Sequence, residues 1–351
     1  MTHEVYLEKG VASYRTKDYE KAIECFEKAI ELKPDYAEAY YEMGNAYLLK
    51  GNNEKAIECY TKAIELKSDF TGAYYNMGFA FYEIGNAYKE KGNYDKAIEC
   101  YEITTKFTPN FEGVYSRMGE IYRIKSNYDK AIECFEKAIN LEPDYAWAYN
   151  YIGLVYQENK GNYDMAIKHY EKAIELKPDY AEAYYNTGNT YLDKGNIDKA
   201  IKCYEKAIEL KPNFENAYYN MGNIYREKGN IDKAIKCYEK AIELNRDYVL
   251  PYYNLGFVYY NKGNYDKAIK YYEQTIKLKP NDAEAYNGMG VAYGCKGNNE
   301  KAIKCFEKSI ELKSPNLAAV YDNMGFAYQA LGNQSKANDC FQKASTIRGN
   351  R

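Results

Sequence analysis

Several kinds of residue that carry chemistry are scarce in this 351-residue chain. It has 2 histidines, His3 and His169, and its 9 cysteines include no CxxC pair. Zinc sites are built mainly from histidine and cysteine at close spacing. No nucleophile recurs beside a base at hydrogen-bonding spacing either. We therefore expect no metal, no cofactor, no catalytic residue and no enzymatic activity.

The chain also lacks a long apolar run and an excess of charge of one sign. No segment approaches the roughly 18 uncharged residues of a membrane span, and the first residues, MTHEVYLEKG, include no apolar stretch of signal-peptide length. Lysine and arginine number 48 and aspartate and glutamate 51, so the net charge is only −3. That balance gives no electrostatic case for binding nucleic acid or an anionic membrane.

The cysteines argue against disulfides. Eight of the nine occupy one position of an internal repeat: Cys25, Cys59, Cys100, Cys134, Cys203, Cys237, Cys305 and Cys340. Equivalent positions in stacked helical repeats lie at least a helix diameter apart, roughly 8 to 10 Å, which exceeds the ~7 Å reach of a disulfide. We interpret them as small buried apolar residues and predict a cytoplasmic, reducing location.

The chain is rich in tyrosine and in copies of one stretch. There are 44 tyrosines and 1 tryptophan, and residues 181–214, AEAYYNTGNTYLDKGNIDKAIKCYEKAIELKPNF, occur with variations ten times. Two sets of apolar residues at helical spacing predict two amphipathic helices in each copy. A fixed period of this kind overrides the usual estimate of two or three domains for the length.

Turn and cap residues separate the two helices. Gly195 lies where a left-handed residue can close the first helix, and Asn196 can cap the second. Before the first helix, Asp179 with Glu182 predicts a capping box. Gly188 recurs inside the first helix, and we expect it to face Ala200 at a close helix crossing.

These residues resemble the tetratricopeptide repeat, a 34-residue helix-turn-helix. The positions that carry the resemblance are Tyr184, Gly188, Tyr191, Ala200, Tyr204, Ala207 and Pro212. Thr187 departs from the usual Leu or Met, and tyrosine replaces the usual tryptophan. The resemblance implies an all-α fold, a right-handed α-solenoid or superhelix of about ten helix-turn-helix repeats.

Alignment on the recurrent Gly and Ala predicts one solenoid over residues 1–351. Its repeats are 3–36, 37–70, 78–111, 112–145, 146–180, 181–214, 215–248, 249–282, 283–317 and 318–351. Single-residue additions fall near Lys160–Gly161 and Ser314–Pro315. Residues 71–77 are extra and keep the apolar stripe on nearly the same face, so we expect them to lengthen one helix by about two turns. An accommodated insertion and a functional break after a short N-terminal arm both fit the sequence.

In proteins of this family, the first helices line a concave groove that binds extended peptides or partner helices. The resemblance therefore predicts that the side chains at a few places of each repeat line this groove. We number the places from the first residue of each repeat, so that place six is its sixth residue. Place six holds Asn186, Asn220, Asn254 and Asn323, with Asn76 in the inserted stretch, and place nine holds Asn45, Asn86, Asn189 and Asn223. Carboxamides can pair with a peptide backbone without selecting its side chains. The row resembles the asparagine ladder in the tetratricopeptide region of O-linked N-acetylglucosamine transferase. Asparagine is also an ordinary choice at an exposed helical position, and the sequence does not decide between the two.

Aromatic and basic residues complete the predicted groove. They are Tyr185, Tyr219 and Tyr253 beside the asparagines, Trp147 at place two, and Arg117, Arg123 and Arg226. Trp147 fits either an exposed contact or packing against a neighbouring helix.

The sequence thus predicts a scaffold that binds an extended or helical segment of a partner protein. One alternative is the substrate-recruiting repeat region of an enzyme assembly such as a glycosyltransferase. RNA binding is less favoured, because related RNA-binding repeats are expected to have a basic groove and this chain is slightly acidic.

Overall fold

The computed structural model describes residues 1–159 and 161–349, which form twenty helices and no strand. Lys160, where one of the single-residue additions was predicted, and the last two residues lie outside the described residues. The helices divide equally between an N-terminal half, residues 1–178, and a C-terminal half, residues 179–351. None of the helices within the described residues has the length and apolar character needed to cross a lipid bilayer.

The N-terminal half contains five helical pairs, in which odd-numbered helices come first. Their bounds are α1 His3–Arg15, α2 Tyr19–Leu32, α3 Ala37–Leu49, α4 Asn53–Leu66, α5 Thr71–Glu90, α6 Tyr94–Phe107, α7 Glu112–Ile124, α8 Tyr128–Leu141, α9 Ala146–Glu158 and α10 Tyr163–Leu176.

The C-terminal half also contains five pairs. Their bounds are α11 Ala181–Asp193, α12 Ile197–Leu210, α13 Glu215–Glu227, α14 Ile231–Leu244, α15 Val249–Asn261, α16 Tyr265–Leu278, α17 Ala283–Cys295, α18 Asn299–Glu311, α19 Leu317–Ala330 and α20 Gln334–Gly349. The prediction of an all-α fold of helix-turn-helix repeats is confirmed.

The turn inside eight of the ten pairs contains the predicted left-handed glycine, and Lys17 and Ser126 take that conformation in the other two. Gly195 has φ 74°, a left-handed conformation that glycine adopts at no steric cost. Asn196 then caps α12, because its side-chain oxygen accepts a hydrogen bond of 3.3 Å from the backbone N–H of Lys199. The same cap, made by Asn or Asp, begins the other second helices from α2 to α18.

The predicted capping box before the first helices is wrong. The N-cap of α11 is Tyr180 rather than Asp179, and no side chain caps the helix. An aromatic residue at this junction packs inward: Phe214, the N-cap of α13, lies 4.8 Å from the ring of Tyr185. The helix therefore starts one residue later than an aspartate cap requires. Where the aromatic residue is missing, as at Asp282, the carboxylate does cap, accepting from the N–H of Ala285 at 3.0 Å.

The core of each pair is a ring packed against a glycine. A Cβ on Gly188 would lie 2.7 Å from Cε1 of Tyr204, whose side chain is fully buried. The nearest side chain to Gly188 is thus the Tyr204 ring and not Ala200, as the sequence had suggested. Equivalent contacts join Gly44 to Tyr60 and Gly119 to Phe135. Any side chain on these glycines would have to displace a buried ring.

Helix α5 has 20 residues, whereas most first helices have 13. It therefore follows the repeat pattern twice, in a first register that starts at Thr71 and a second that starts at Gly78. Its first half pairs with the preceding repeat: Asn76 Nδ2 donates to Asn45 Oδ1 at 2.7 Å. Its second half pairs with α6: a Cβ on Gly85 would lie 2.6 Å from the ring of Tyr101. Residues 71–77 thus belong to a helix that serves two repeats in succession.

Candidate functional site

The first helices form one layer within each half. Successive first helices contact each other directly in several places, for example α3 with α5 and α17 with α19. We call the face of this layer that carries places two, five, six, nine and twelve of each repeat the inner face. All the groove residues predicted from the sequence lie on these first helices.

The predicted asparagines of the C-terminal half form an internal hydrogen-bond network. Asn189 Oδ1 accepts from the hydroxyl of Tyr204 at 2.7 Å and from Nδ2 of Asn220 at 2.9 Å. Asn220 Nδ2 also donates to the hydroxyl oxygen of Tyr185 at 3.2 Å. One amide at place nine is therefore held by the second helix of its own pair and by the next first helix.

The network recurs in the next pair and in the N-terminal half. Asn223 Oδ1 accepts from Tyr238 at 2.8 Å and from Asn254 Nδ2 at 2.9 Å.

In the N-terminal half, Asn45 Oδ1 accepts from Tyr60 at 3.0 Å as well as from Asn76, and Asn86 Oδ1 accepts from Tyr101 at 2.8 Å. The asparagine row is therefore part of the framework that joins neighbouring repeats.

This network fixes the orientation of the place-nine amides. Each of Asn189 and Asn223 uses its carbonyl oxygen for two internal donors. A reversed place-nine amide would set its own N–H groups against Nδ2 of the following asparagine. Within the described residues, the Nδ2 groups of Asn189 and Asn223 have no hydrogen-bond partner in the protein, and both side chains are half-buried. These two amides are thus oriented donors on the inner face.

The two other predicted asparagines are placed differently. Asn254 is only 7% exposed, so little of its amide is accessible. Asn186 is half-buried, and its backbone oxygen accepts from Thr190 Oγ1 at 3.0 Å. Asn254 is therefore the least accessible member of the row in the C-terminal half, where the other asparagines of the row are half-buried.

A signal for this network exists in the sequence and was missed. All four repeats with asparagine at place nine have tyrosine at place 24, namely Tyr60, Tyr101, Tyr204 and Tyr238. The four repeats with phenylalanine at place 24, Phe26, Phe135, Phe306 and Phe341, carry Val11, Glu120, Val291 and Phe326 at place nine. Each amide at place nine therefore has a hydroxyl to bind. The two remaining tyrosines at this place, Tyr170 and Tyr272, occur with Leu154 and Phe257 at place nine.

The three predicted groove tyrosines are half-buried, and each packs against at least one other aromatic ring. Tyr185 lies 5.7 Å from Tyr204 as well as against Phe214, Tyr219 lies between Tyr238 and Tyr248, and Tyr253 lies 5.7 Å from Tyr272. Burial raises the pKa of the Tyr253 hydroxyl, with the nearby carboxylates of Glu284 and Asp282 acting in the same direction. These rings support the asparagine row and present only part of their surface.

The predicted arginines of the N-terminal half already have partners. Arg117 pairs with Glu120 at 3.1 Å, and Arg123 pairs with Glu158 and lies 5.7 Å from the centre of the Tyr151 ring. Burial of Glu120 opposes its ionisation, but hydrogen bonds from Lys89, Tyr151 and Arg117 outweigh it and lower its pKa. The inner face here is a neutralised ionic cluster with little free positive charge.

Trp147 packs within an aromatic group. It stacks on Tyr151 with ring centroids 3.8 Å apart, stacks on Tyr145 at 5.9 Å and meets the edge of Phe135 at 5.9 Å. The side chain is half-buried. Its ring contacts lie in its own helix, at Tyr151, at the N-cap of that helix, Tyr145, and on the neighbouring helix α8, at Phe135.

Arg226 differs from the other two arginines. Its guanidinium lies 5.8 Å from the centre of the Phe257 ring, and its closest carboxylate oxygen, on Glu227, is 3.8 Å away. Phe257 occupies place nine and is 39% exposed. The row of amides therefore ends, toward α15, in a loosely paired cation and an apolar ring.

Two hollows lie further along the C-terminal half. A cavity of about 510 Å³ is lined by Leu250, Tyr253, Lys279, Glu284 and Pro315 among others, and one of about 270 Å³ includes Val291, Cys295 and Phe326. All nine cysteines are free thiols. In the part of the chain that the structure describes, no group of three His, Cys, Asp or Glu side chains could hold a metal ion.

Models of known protein families match the residues that form these helices. The family model described as TPR repeat matches residues 10–51, 44–85, 85–122, 119–160, 159–195, 188–225 and 222–263, and the model described as Tetratricopeptide repeat matches 247–314 and 281–350. No curated protein matches the chain.

Several solved structures are similar. A crystal structure of MamA is 37% identical, with a TM-score of 0.44, over 46% of this chain and 94% of the MamA chain. YrrB, described as a TPR protein with an unusual peptide-binding site, is 28% identical, with a TM-score of 0.42, over 55% of this chain and 95% of its own. A tetratricopeptide repeat protein from Parabacteroides merdae ATCC 43184 is 22% identical, with a TM-score of 0.48, over 67% and 92%.

The family models together span almost the whole chain, and the helical pairs, the Gly–ring contacts and the turns agree with them. The chain belongs to the tetratricopeptide repeat family and is built as a protein-interaction scaffold.

Proposed function

We propose that the C-terminal half binds an extended segment of a partner protein along the inner face of α11, α13 and α15. The observation that supports this is the pair of oriented donors, Nδ2 of Asn189 and Nδ2 of Asn223. Their carbonyl oxygens are used by Tyr204, Tyr238 and the following asparagines, so the N–H groups are left for another acceptor.

A peptide backbone is a suitable acceptor for these amides. In an extended segment of polyproline II type, the carbonyls are not used internally and those three residues apart point to the same side. Neighbouring first helices lie roughly 8 to 10 Å apart, which corresponds to about three such residues at ~3.1 Å each. Each repeat would therefore hold one carbonyl of every third residue, whatever the side chains of the partner are.

Selectivity would come from the end of the row. Arg226 and Phe257 offer a cation beside an exposed ring, so we expect an acidic residue and an apolar residue of the partner to lie there. Tyr185, Tyr219 and Tyr253 would add contact area. Trp147, Arg117 and Arg123 stay predicted contacts in the N-terminal half, with smaller effects because each already has a partner.

The proposal can be tested without knowing the natural partner. Peptides selected on the full chain from a random dodecapeptide library would be labelled, and their Kd measured by fluorescence anisotropy. We expect Asn189→Ala with Asn223→Ala to weaken binding about tenfold, because two hydrogen bonds worth about 0.5 to 1.5 kcal/mol each are lost.

Asn213→Ala is the matched control, since Asn213 is an exposed asparagine outside the row. It should leave the Kd unchanged. If the double variant binds as the parent does, the amides do not hold the peptide. A partner bound as an α-helix, which satisfies its own backbone, would produce that result.

A further inference from the structure

Helix α5 leaves one tyrosine uncovered because it runs through two registers. In other repeats, two rings cover the place-five tyrosines Tyr41, Tyr185 and Tyr219, and one ring covers Tyr253. In the second register of α5, Tyr82 lies 5.7 Å from Tyr101 and 4.9 Å from Phe111. Tyr75 occupies the same place in the first register. Since α6 is aligned with the second register, no ring of the described residues covers Tyr75, which is 59% exposed.

Phe79 extends this uncovered surface. It lies one helical turn after Tyr75, is 37% exposed, and has its ring 6.0 Å from that of Tyr82. One further turn along is Glu83, a half-buried carboxylate without an ion-pair partner among the described residues. We call Tyr75 and Phe79 the aromatic step.

The same chain shows what covers comparable rings elsewhere on the inner face. Arg123 lies over Tyr151 at 5.7 Å, and Arg226 lies over Phe257 at 5.8 Å. In both cases the guanidinium comes from place twelve of the preceding first helix and has a carboxylate beside it.

The aromatic step has the rings and the carboxylate but not the guanidinium. The residue at place twelve of the preceding helix, α3, is Leu48. Across the described residues, no lysine or arginine lies over Tyr75 or Phe79. The described part of the chain therefore leaves this group without a cation of its own.

We propose that the aromatic step binds an arginine side chain of a partner protein. The guanidinium stacks on the rings of Tyr75 and Phe79 and pairs with the carboxylate of Glu83. Arginine fits better than lysine because its planar group stacks on aromatic faces and binds carboxylates through parallel N–H groups. This surface belongs to the N-terminal half and does not depend on the asparagine row of the C-terminal half.

The test uses three capped, fluorescein-labelled dodecapeptides with four repeats of Gly-Arg-Ser, Gly-Lys-Ser or Gly-Gln-Ser. Binding to the full chain is measured by anisotropy at 150 mM salt. We expect the arginine peptide to bind most tightly, and Tyr75→Ala with Phe79→Ala to weaken it about tenfold, because both stacking surfaces are lost. Glu83→Gln should weaken it about threefold through loss of the ion pair.

Two further variants make the result specific. Deletion of residues 78–84 removes Phe79 and Glu83 and brings Tyr75 into the covered position, so it should weaken arginine-peptide binding as the double substitution does. Phe326→Ala removes an exposed phenylalanine of the C-terminal half, 61% exposed, and should change the Kd less than about twofold.

Several outcomes would overturn the proposal. Equal binding of the arginine and lysine peptides would mean that charge alone is recognised. If a proline-rich dodecapeptide bound more tightly than the arginine peptide, the aromatic step would recognise proline rather than arginine. Loss of self-association on Tyr75→Ala with Phe79→Ala, seen by analytical ultracentrifugation, would make a second copy of the chain the occupant.

Discussion

Tyr204 performs two separate tasks in its repeat. Its ring fills the space above Gly188, and its hydroxyl holds Asn189. Four other repeats have phenylalanine at the same place, so the ring alone suffices for packing. The hydroxyl is needed only where an amide must be oriented.

The two tasks predict different losses of stability. Tyr204→Phe removes one hydrogen bond and should lower the free energy of unfolding by about 0.5 to 1.5 kcal/mol. Gly188→Ala gains about 1 kcal/mol of helix propensity but drives a Cβ into the buried ring, and overpacking costs about 1 to 3 kcal/mol, so we expect a net loss. Urea unfolding measures both values. Tyr218→Phe, whose hydroxyl has no hydrogen-bond partner in the described residues, is the control, and an equal effect at Tyr204 would contradict the account.

At this scale the sequence predicted the structural residues well and the site residues incompletely. Gly195 and Asn196 were predictable because their roles depend on the local backbone alone. The capping box was wrong because an aromatic residue at the junction packs against the neighbouring helix, a contact that lies outside local sequence. The asparagines were found by position, but their hydrogen bonds join residues 15 or 31 apart and required the structure.

At the scale of the element, α5 is the most distinctive helix. Residues 71–77 were recognised as extra from the spacing of apolar residues. The spacing did not show which ring would lose its cover, because that depends on where α6 packs. The insertion is accommodated in the helix and also exposes Tyr75 and Phe79.

Deleting residues 78–84 should restore an ordinary repeat. The join of Met77 to Gly85 gives TGAYYNMGNAYKE, which has the regular spacing of the other first helices. Gly85 would still lie against Tyr101, and Asn76 could still donate to Asn45. We expect cooperative thermal unfolding by circular dichroism, with a Tm equal to or above that of the parent chain. A broad transition or a Tm lower by more than about 3 °C, roughly 1 kcal/mol for a unit of 150 to 250 residues, would contradict the two-register description.

At the scale of the whole molecule, the buried thiols and phenols link stability to pH. Burial raises the pKa of Cys134 to about 11 and that of Cys59 to about 12, from 9.0, with the carboxylate of Glu58 adding to the shift at Cys59. Burial also raises the pKa of Tyr204 well above 10.0. In the unfolded chain these groups lose protons at their ordinary pKa, while the folded chain keeps them.

Stability should therefore be complete below pH 9 and fall as the pH rises from about 9 to 12. The unfolded state binds fewer protons than the folded state throughout that window, which favours unfolding. Urea midpoints between pH 7 and 11, measured under reducing conditions, check the sign. Absorbance at 295 nm should show the buried tyrosines ionising only with unfolding. A midpoint that does not change up to pH 11 would contradict this.

The most direct test of the central claim observes the oriented amides themselves. Nuclear magnetic resonance of ¹⁵N-labelled protein, with the carboxamide signals of Asn189, Asn223 and Asn213 assigned by substitution, would be recorded during titration with a selected peptide. We expect the Nδ2 signals of Asn189 and Asn223 to shift during the titration, and the Kd fitted to these shifts to equal the Kd measured by anisotropy. The signal of Asn213 should not shift. Shifts confined to the second helices, with Asn189 and Asn223 unaffected, would show that the partner binds elsewhere on the scaffold.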